Sequence, residues 1–175
     1  MEPMTLEAFE EASDRVREVT KETKLIYSDF FSKQSGNKVY FKPENLQQTG
    51  AYKVRGAYYK ISTMDESARE KGLITASAGN HAQGVAFAAK LAGVTVCMPT
   101  VTPLMKINRT KALGAEVVLS GDVFDDALKR AYEIAAETGA TFVHPFDDLT
   151  VATGQGSIAM EIVKELPTVV YILVP

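Results

Sequence analysis

Apolar positions along this chain follow two different periods. Leu6, Phe9, Ala12, Val16 and Val19 recur at helical spacing behind Thr5, which suits an N-cap, and Glu7, an acid in the first turn. They predict a surface helix packed on a larger body. Lys38 to Lys42, K-V-Y-F-K, reads as a short strand, and Val54, Ala57, Tyr58 and Ile61 then return to helical spacing. Beyond them, apolar strand candidates at Leu73 to Ala76, Val94 to Met98, Glu116 to Leu119, Thr141 to Val143 and Val169 to Val174 alternate with helical stretches. Gly93, Gly114 and Gly139 sit where helices should end in a left-handed residue, and Thr102 with Pro103 reads as an N-cap followed by the first helical residue. Strands separated by helices need crossover connections. The pattern therefore predicts an α/β fold, a parallel sheet flanked by helices in three layers. Such sheets receive ligands beyond the carboxyl ends of their strands, so chemistry is to be sought in the turns that follow them.

Composition narrows the classes of partner. A net charge of −3 on 175 residues gives no electrostatic case for nucleic acid or an anionic membrane surface, and small-molecule partners fit better. The single cysteine, Cys97, lies in T-V-C-M, a buried-strand pattern, and excludes an internal disulfide. The N-terminus is acidic where a secretory signal would be basic, and no apolar run approaches the roughly 18 residues of a membrane span. A cytoplasmic protein is expected. Two histidines cannot build a multi-histidine metal site; His144, before a proline, reads as structural, and Asp147 with Asp148 as the start of a helix. No metal site is expected.

Two turns carry candidate chemistry. In K-P-E-N-L-Q-Q-T-G-A-Y-K-V-R-G-A, Lys53 falls in the first turn of a helix, where the dipole favours anions and a cation costs a few tenths of a kcal/mol. Either Lys53 has a chemical task, or it is one of several solvated cations, with Arg55 and Lys60, on a polar face. Glu44 and Asn45 lie nearby in sequence and can orient the turn. After the strand ending at Ala76 comes S-A-G-N-H-A-Q-G, whose small residues let a ligand approach the backbone. A carboxylate or phosphate can lie against the amides of Ala78, Gly79, Asn80 and His81, with the Ser77 hydroxyl beside it. The alternative is a loop that only turns the chain, with Asn80 as N-cap and His81 in the first turn.

These two stretches, with A-T-G-Q-G-S-I-A-M-E-I later in the chain, resemble the threonine dehydratases (threonine ammonia-lyases) of the fold type II pyridoxal-phosphate enzymes, from about residue 20 onward. The resemblance implies a tryptophan synthase beta-like fold, pyridoxal 5'-phosphate as cofactor, and Lys53 as its Schiff-base lysine. It places Tyr52 beside the cofactor, Asn80 on its phenolic oxygen, and Ser77, Ala78, Gly79, Asn80 and His81 around the carboxylate of a small amino-acid substrate. It implies that Lys53, once released, acts as base at the α-carbon of L-threonine or L-serine, with loss of the β-hydroxyl giving a 2-oxo acid and ammonia. Serine racemases are similar but carry a second serine where Ala78 stands, so elimination is favoured over racemisation.

Relative to that family the chain ends early, at V-V-Y-I-L-V-P, before the glycine-rich loop that binds the cofactor phosphate. The resemblance divides it into residues 1–53, an N-terminal segment of the large domain; residues 54–145, the small α/β domain; and residues 146–175, a return into an incomplete large domain. Two expectations follow: the chain alone lacks dehydratase activity, and its last apolar strand is covered by a second copy in a homo-oligomer. The competing expectation is a folded, self-associating module without catalysis.

Overall fold

The computed structural model describes residues 2–89 and 93–174. The chain opens with α1 (Leu6–Val16), capped by the Thr5 side chain. A two-stranded antiparallel ribbon follows, β1 (Ile26–Tyr27) and β2 (Tyr40–Phe41), enclosing α2 (Asp29–Ser35). Two 3-10 turns, Glu44–Leu46 and Gln48–Gly50, lead into α3 (Lys53–Ser62), and α4 (Glu66–Glu70) leads away from it. Strand and helix then alternate: β3 (Leu73–Ala76), α5 (Asn80–Ala88), β4 (Val94–Met98), α6 (Leu104–Ala112), β5 (Glu116–Leu119), α7 (Phe124–Thr138), β6 (Thr141–Phe142) and α8 (Leu149–Glu165).

The last four strands form one parallel sheet in the order β5-β4-β3-β6, so β3 and β4 are its centre. Side chains alternate across it as a pleated strand requires. Leu73, Val94, Val96 and Met98 pack with Val85, Ala86 and Ile107 of α5 and α6, whereas Ile74, Ala76 and Cys97 pack with Ala127 and Ala131 of α7. Three layers result, as expected. Burial raises the Cys97 thiol to about 11, so it is an inert core group.

Several expectations need correction. Val169 to Val174 form no strand: beyond the turn closed by Val169 N–H donating to the Leu166 carbonyl, this segment pairs with no described strand, and Tyr171 and Leu173 are exposed. An apolar β-pattern becomes a strand only where a ladder partner exists. Gly114 and Gly139 have the expected positive φ, Gly93 does not, and residues 90–92, where the preceding helix was expected to end, lie outside the described residues. Pro103, not Thr102, is the N-cap of α6; its carbonyl accepts from Lys106 and Ile107 N–H. In α1 the buried face is Ala8, Ala12 and Val16, while Leu6 is exposed. The ribbon strand, Tyr40–Phe41, is shorter than Lys38 to Lys42.

The packing of α3 on α8 sets the position of everything that follows. A methyl group built on Gly154 would lie 2.6 Å from Tyr59 Cβ and 2.7 Å from Gly56 Cα, so the two helices touch backbone to backbone. Gly154→Ala must push them apart and is expected to cost about 1–3 kcal/mol in thermal or denaturant unfolding. Gly93→Ala, where a methyl meets nothing within 4 Å among the described residues, should change stability by less than about 0.5 kcal/mol.

Candidate active site

Lys53 is the first residue of α3, within the first turn expected of it. The turn before it is strained: Thr49, β-branched, has φ +62, and Gly50 follows at +75. Two residues after Lys53, Arg55 is fully buried and not the solvated cation of the plainer sequence reading. Its guanidinium donates to both carboxylate oxygens of Glu44 at 2.9 Å and to those of Glu161 at 2.6 and 3.0 Å. Lys42 pairs with Glu161 as well, and Thr23 donates to Glu44 at 2.6 Å. The first turn of α3 is thereby tied to the N-terminal segment and to α8. Lys60 pairs with Asp148, the N-cap of α8, at 2.8 Å.

The Lys53 ammonium donates to the Pro145 carbonyl at 2.9 Å and lies 5.4 Å from the centre of the Tyr52 ring. Pro145 belongs to the turn after β6. His144 shapes that turn, its Nδ1 accepting from the N–H groups of Phe146 and Asp147, which is the structural role expected of it.

The loop after β3 meets the same place. Gly84 has no side chain where α5 crosses α3, and a methyl group there would sit 3.1 Å from the carbonyl of Lys53. Asn80 is the first helical residue, exposed, with Gly79 rather than Asn80 as N-cap. The Ser77 amide donates to the Cys97 carbonyl, and the Gly79 amide to Ser77 Oγ, so Gly79 is withdrawn from the set of open donors. The amides of Ala78, Asn80 and His81 have no acceptor among the described residues. His81 is buried, with Nε2–H donating to the Val143 carbonyl at 3.2 Å and Nδ1 left without a partner. Burial, with smaller contributions from the charges of Lys53 and His144, pulls it down to about 4, so the ring is neutral.

Lys53, Tyr52 and the Ser77–His81 loop are thus brought together where β3 and β6 end, the position the parallel sheet favours for a ligand. Sequence reasoning passed over Lys106, whose Nζ lies 3.6 Å from a methyl group built on Gly79. The signal was available: like Lys53, it is a cation in the first turn of a helix, the end where the dipole disfavours it.

The chain matches the family described as pyridoxal-phosphate dependent enzyme over residues 16–175, and it belongs to that family. It is 53% identical over 177 residues to an L-threonine ammonia-lyase of Geobacter sulfurreducens, covering 100% of this chain and 44% of that protein. To an L-threonine ammonia-lyase of Thermotoga maritima it is 48% identical, covering 98% of this chain and 43% of the relative. Among solved structures it is similar to the processed form of threonine deaminase isoform 2 from Solanum lycopersicum, with TM-score 0.85 and 37% identity over 94% of this chain and 47% of that one. It is also similar to maize serine racemase, with TM-score 0.91 and 30% identity over 95% and 51%. The chain spans about half the length of the curated relatives it matches.

The residues present suit the family's cofactor. Two buried polar atoms near Lys53 lack partners, Thr49 Oγ1 in the turn before it and His81 Nδ1 in the helix packed on it, and the bare Gly84 lets that helix lie directly on the Lys53 backbone. A site finished by its own side chains would leave neither atom unpaired.

His81 generates a pH dependence. The unfolded chain takes up this proton near pH 6.5, the folded one only near 4, so the stability present above pH 6.5 falls as pH drops from 6.5 to about 4. The full loss from this group is about 3 kcal/mol, and His81→Gln should flatten the slope when denaturant midpoints are compared at pH 7 and pH 5.

Proposed function

We propose that this chain carries the lysine half of a pyridoxal-phosphate-dependent dehydratase that converts L-threonine or L-serine to a 2-oxo acid and ammonia. The observation that carries the reading is the meeting of Lys53 with a helix N-terminus whose Ala78, Asn80 and His81 amides are open. The names of the relatives support the substrate class.

In this reading Lys53 is the residue to which the cofactor attaches, with the Tyr52 ring beside it and Asn80 within the loop that faces it. Bound there, pyridoxal phosphate supplies the electron sink that the charge left on the substrate's α-carbon requires. Lys53 takes the α-proton. Its base position is fixed by the first turn of α3, and proton transfer needs that fixity because it depends steeply on distance and angle. The Pro145 carbonyl, 2.9 Å from Nζ, accepts from the ammonium that Lys53 becomes on taking that proton. The open amides receive the substrate carboxylate, and the neutral His81 ring adds no charge to compete with it. Ala78 favours elimination, since it has no hydroxyl to return a proton to the opposite face of the α-carbon.

Two measurements test this. Borohydride reduction of the chain mixed with pyridoxal phosphate, followed by peptide mapping, should place the cofactor mass on Lys53; even labelling of surface lysines would contradict it. In any form of the protein that turns over L-threonine, Lys53→Ala should lower 2-oxobutanoate formation by about 10²–10⁴-fold.

A further inference from the structure

We propose that Lys106 is the counter-charge for the α-carboxylate of the amino-acid substrate, standing beside Gly79 at the N-terminus of α5; the inference rests on the reading above. Lys106 is the third residue of α6, and its Nζ stands 3.6 Å from a methyl group built on Gly79. Among the described residues, no carboxylate pairs with this ammonium and no acceptor takes its protons. A half-buried lysine without a counter-ion, held against a backbone, is a cation waiting for an anion.

The surroundings deepen the deficit. Helices α1, α2, α4 and α7 carry an acid in the first turn, Glu7, Asp29, Glu66 and Asp125 with Asp126, and α8 is capped by Asp148. The helices that enter the site, α3, α5 and α6, carry none, and two of them have a lysine in the first turn instead. Three positive helix ends and two ammonium groups thus gather with no negative side chain among their own first turns. A second and independent observation is a pair of buried polar atoms without partners in the turns that open α5 and α6: His81 Nδ1, in a side chain 3% exposed, and Thr102 Oγ1, in one 6% exposed. With Nε2–H given to Val143, the His81 Nδ1 is an acceptor and needs a donor. A small ligand bearing a carboxylate and a hydroxyl or ammonium meets both demands, the anion at Lys106 and the open amides, the donor at His81 Nδ1. Lys53 is not available for the carboxylate, being committed to the cofactor and the α-proton. Lys106 is therefore a residue that fixes the substrate by its carboxyl end and rejects analogues lacking it.

Phosphate shares the charge chemistry of a carboxylate, and the test separates them. The 175-residue chain with pyridoxal phosphate is acetylated under limiting reagent, and each lysine is read by peptide mass spectrometry with L-threonine, L-threoninamide or additional inorganic phosphate present. L-threonine should slow acetylation of Lys106 several-fold, and L-threoninamide, lacking the carboxylate, should not. Titration of L-threonine followed by the amide resonances of Asn80 and His81 should show binding weakened about tenfold in Lys106→Met and largely retained in Lys106→Arg. Equal protection by L-threoninamide, protection by phosphate alone, no protection at all, or unchanged binding in Lys106→Met would each overturn the proposal. Attachment of the cofactor to Lys53 is read in the same digests. Its failure with Lys106 still protected would sink the enzymatic reading and leave the carboxylate site standing, whereas attachment without protection would do the reverse.

Discussion

The buried guanidinium of Arg55 is the constraint on which the placement of Lys53 depends. It sits two residues along α3 from the lysine and makes two-pronged contacts with Glu44 on one side and Glu161 on the other, with Ser157 completing its donors. A planar fork can make two-pronged contacts with two carboxylates at once and the three protons of an ammonium cannot, so the contacts at this position need arginine. A buried charge of this kind gives little net stability against an apolar replacement, but removing one partner strands the others at a cost of about 3–5 kcal/mol. What it gives is geometry: the N-terminal segment, the first turn of α3 and the last helix are locked in one relation.

That lock matters because the sheet and the helices deliver their reactive ends to one point. β3 ends in the Ser77–Gly79 turn, β4 leads through Thr102 to Lys106, and β6 ends in the turn that presents the Pro145 carbonyl to Lys53. A parallel sheet sends all its carboxyl ends in one direction, so three separate loops meet with no further device. The close contacts at Gly84 and Gly154 bring helix backbones together, where any side chain would hold them apart. The fold and the chemistry of the site are thus products of the same packing.

Much of this was legible in the residues. The strands β3, β4 and β5 stand where the apolar runs place them; β3 and β4 are buried on both faces, and such a run with glycine or proline punctuation has few other structures open to it, while β5 is the half-exposed edge. Lys53 and the S-A-G-N-H loop stood out because a cation at a helix N-terminus and a small-residue turn after a strand both break the ordinary pattern. Arg55 did not stand out, since helical spacing alone puts it on a polar face, and its partners lie 11 and 106 residues away. The Pro145 carbonyl was beyond reach for a similar reason: a backbone acceptor leaves no mark in the sequence. The apolar tail at Val169 to Val174 shows the opposite failure, a local strand pattern with no described partner to pair it.

The most direct test of the account is amide hydrogen exchange of Arg55→Lys against the unaltered chain. If the guanidinium clamp fixes the first turn of α3, the amides of Arg55 to Ala57 should exchange about tenfold or more faster in the variant, relative to those of Val96 and Cys97 in the central strand. Equal protection of α3 and the strand in both proteins would show that Lys53 is held by something other than Arg55.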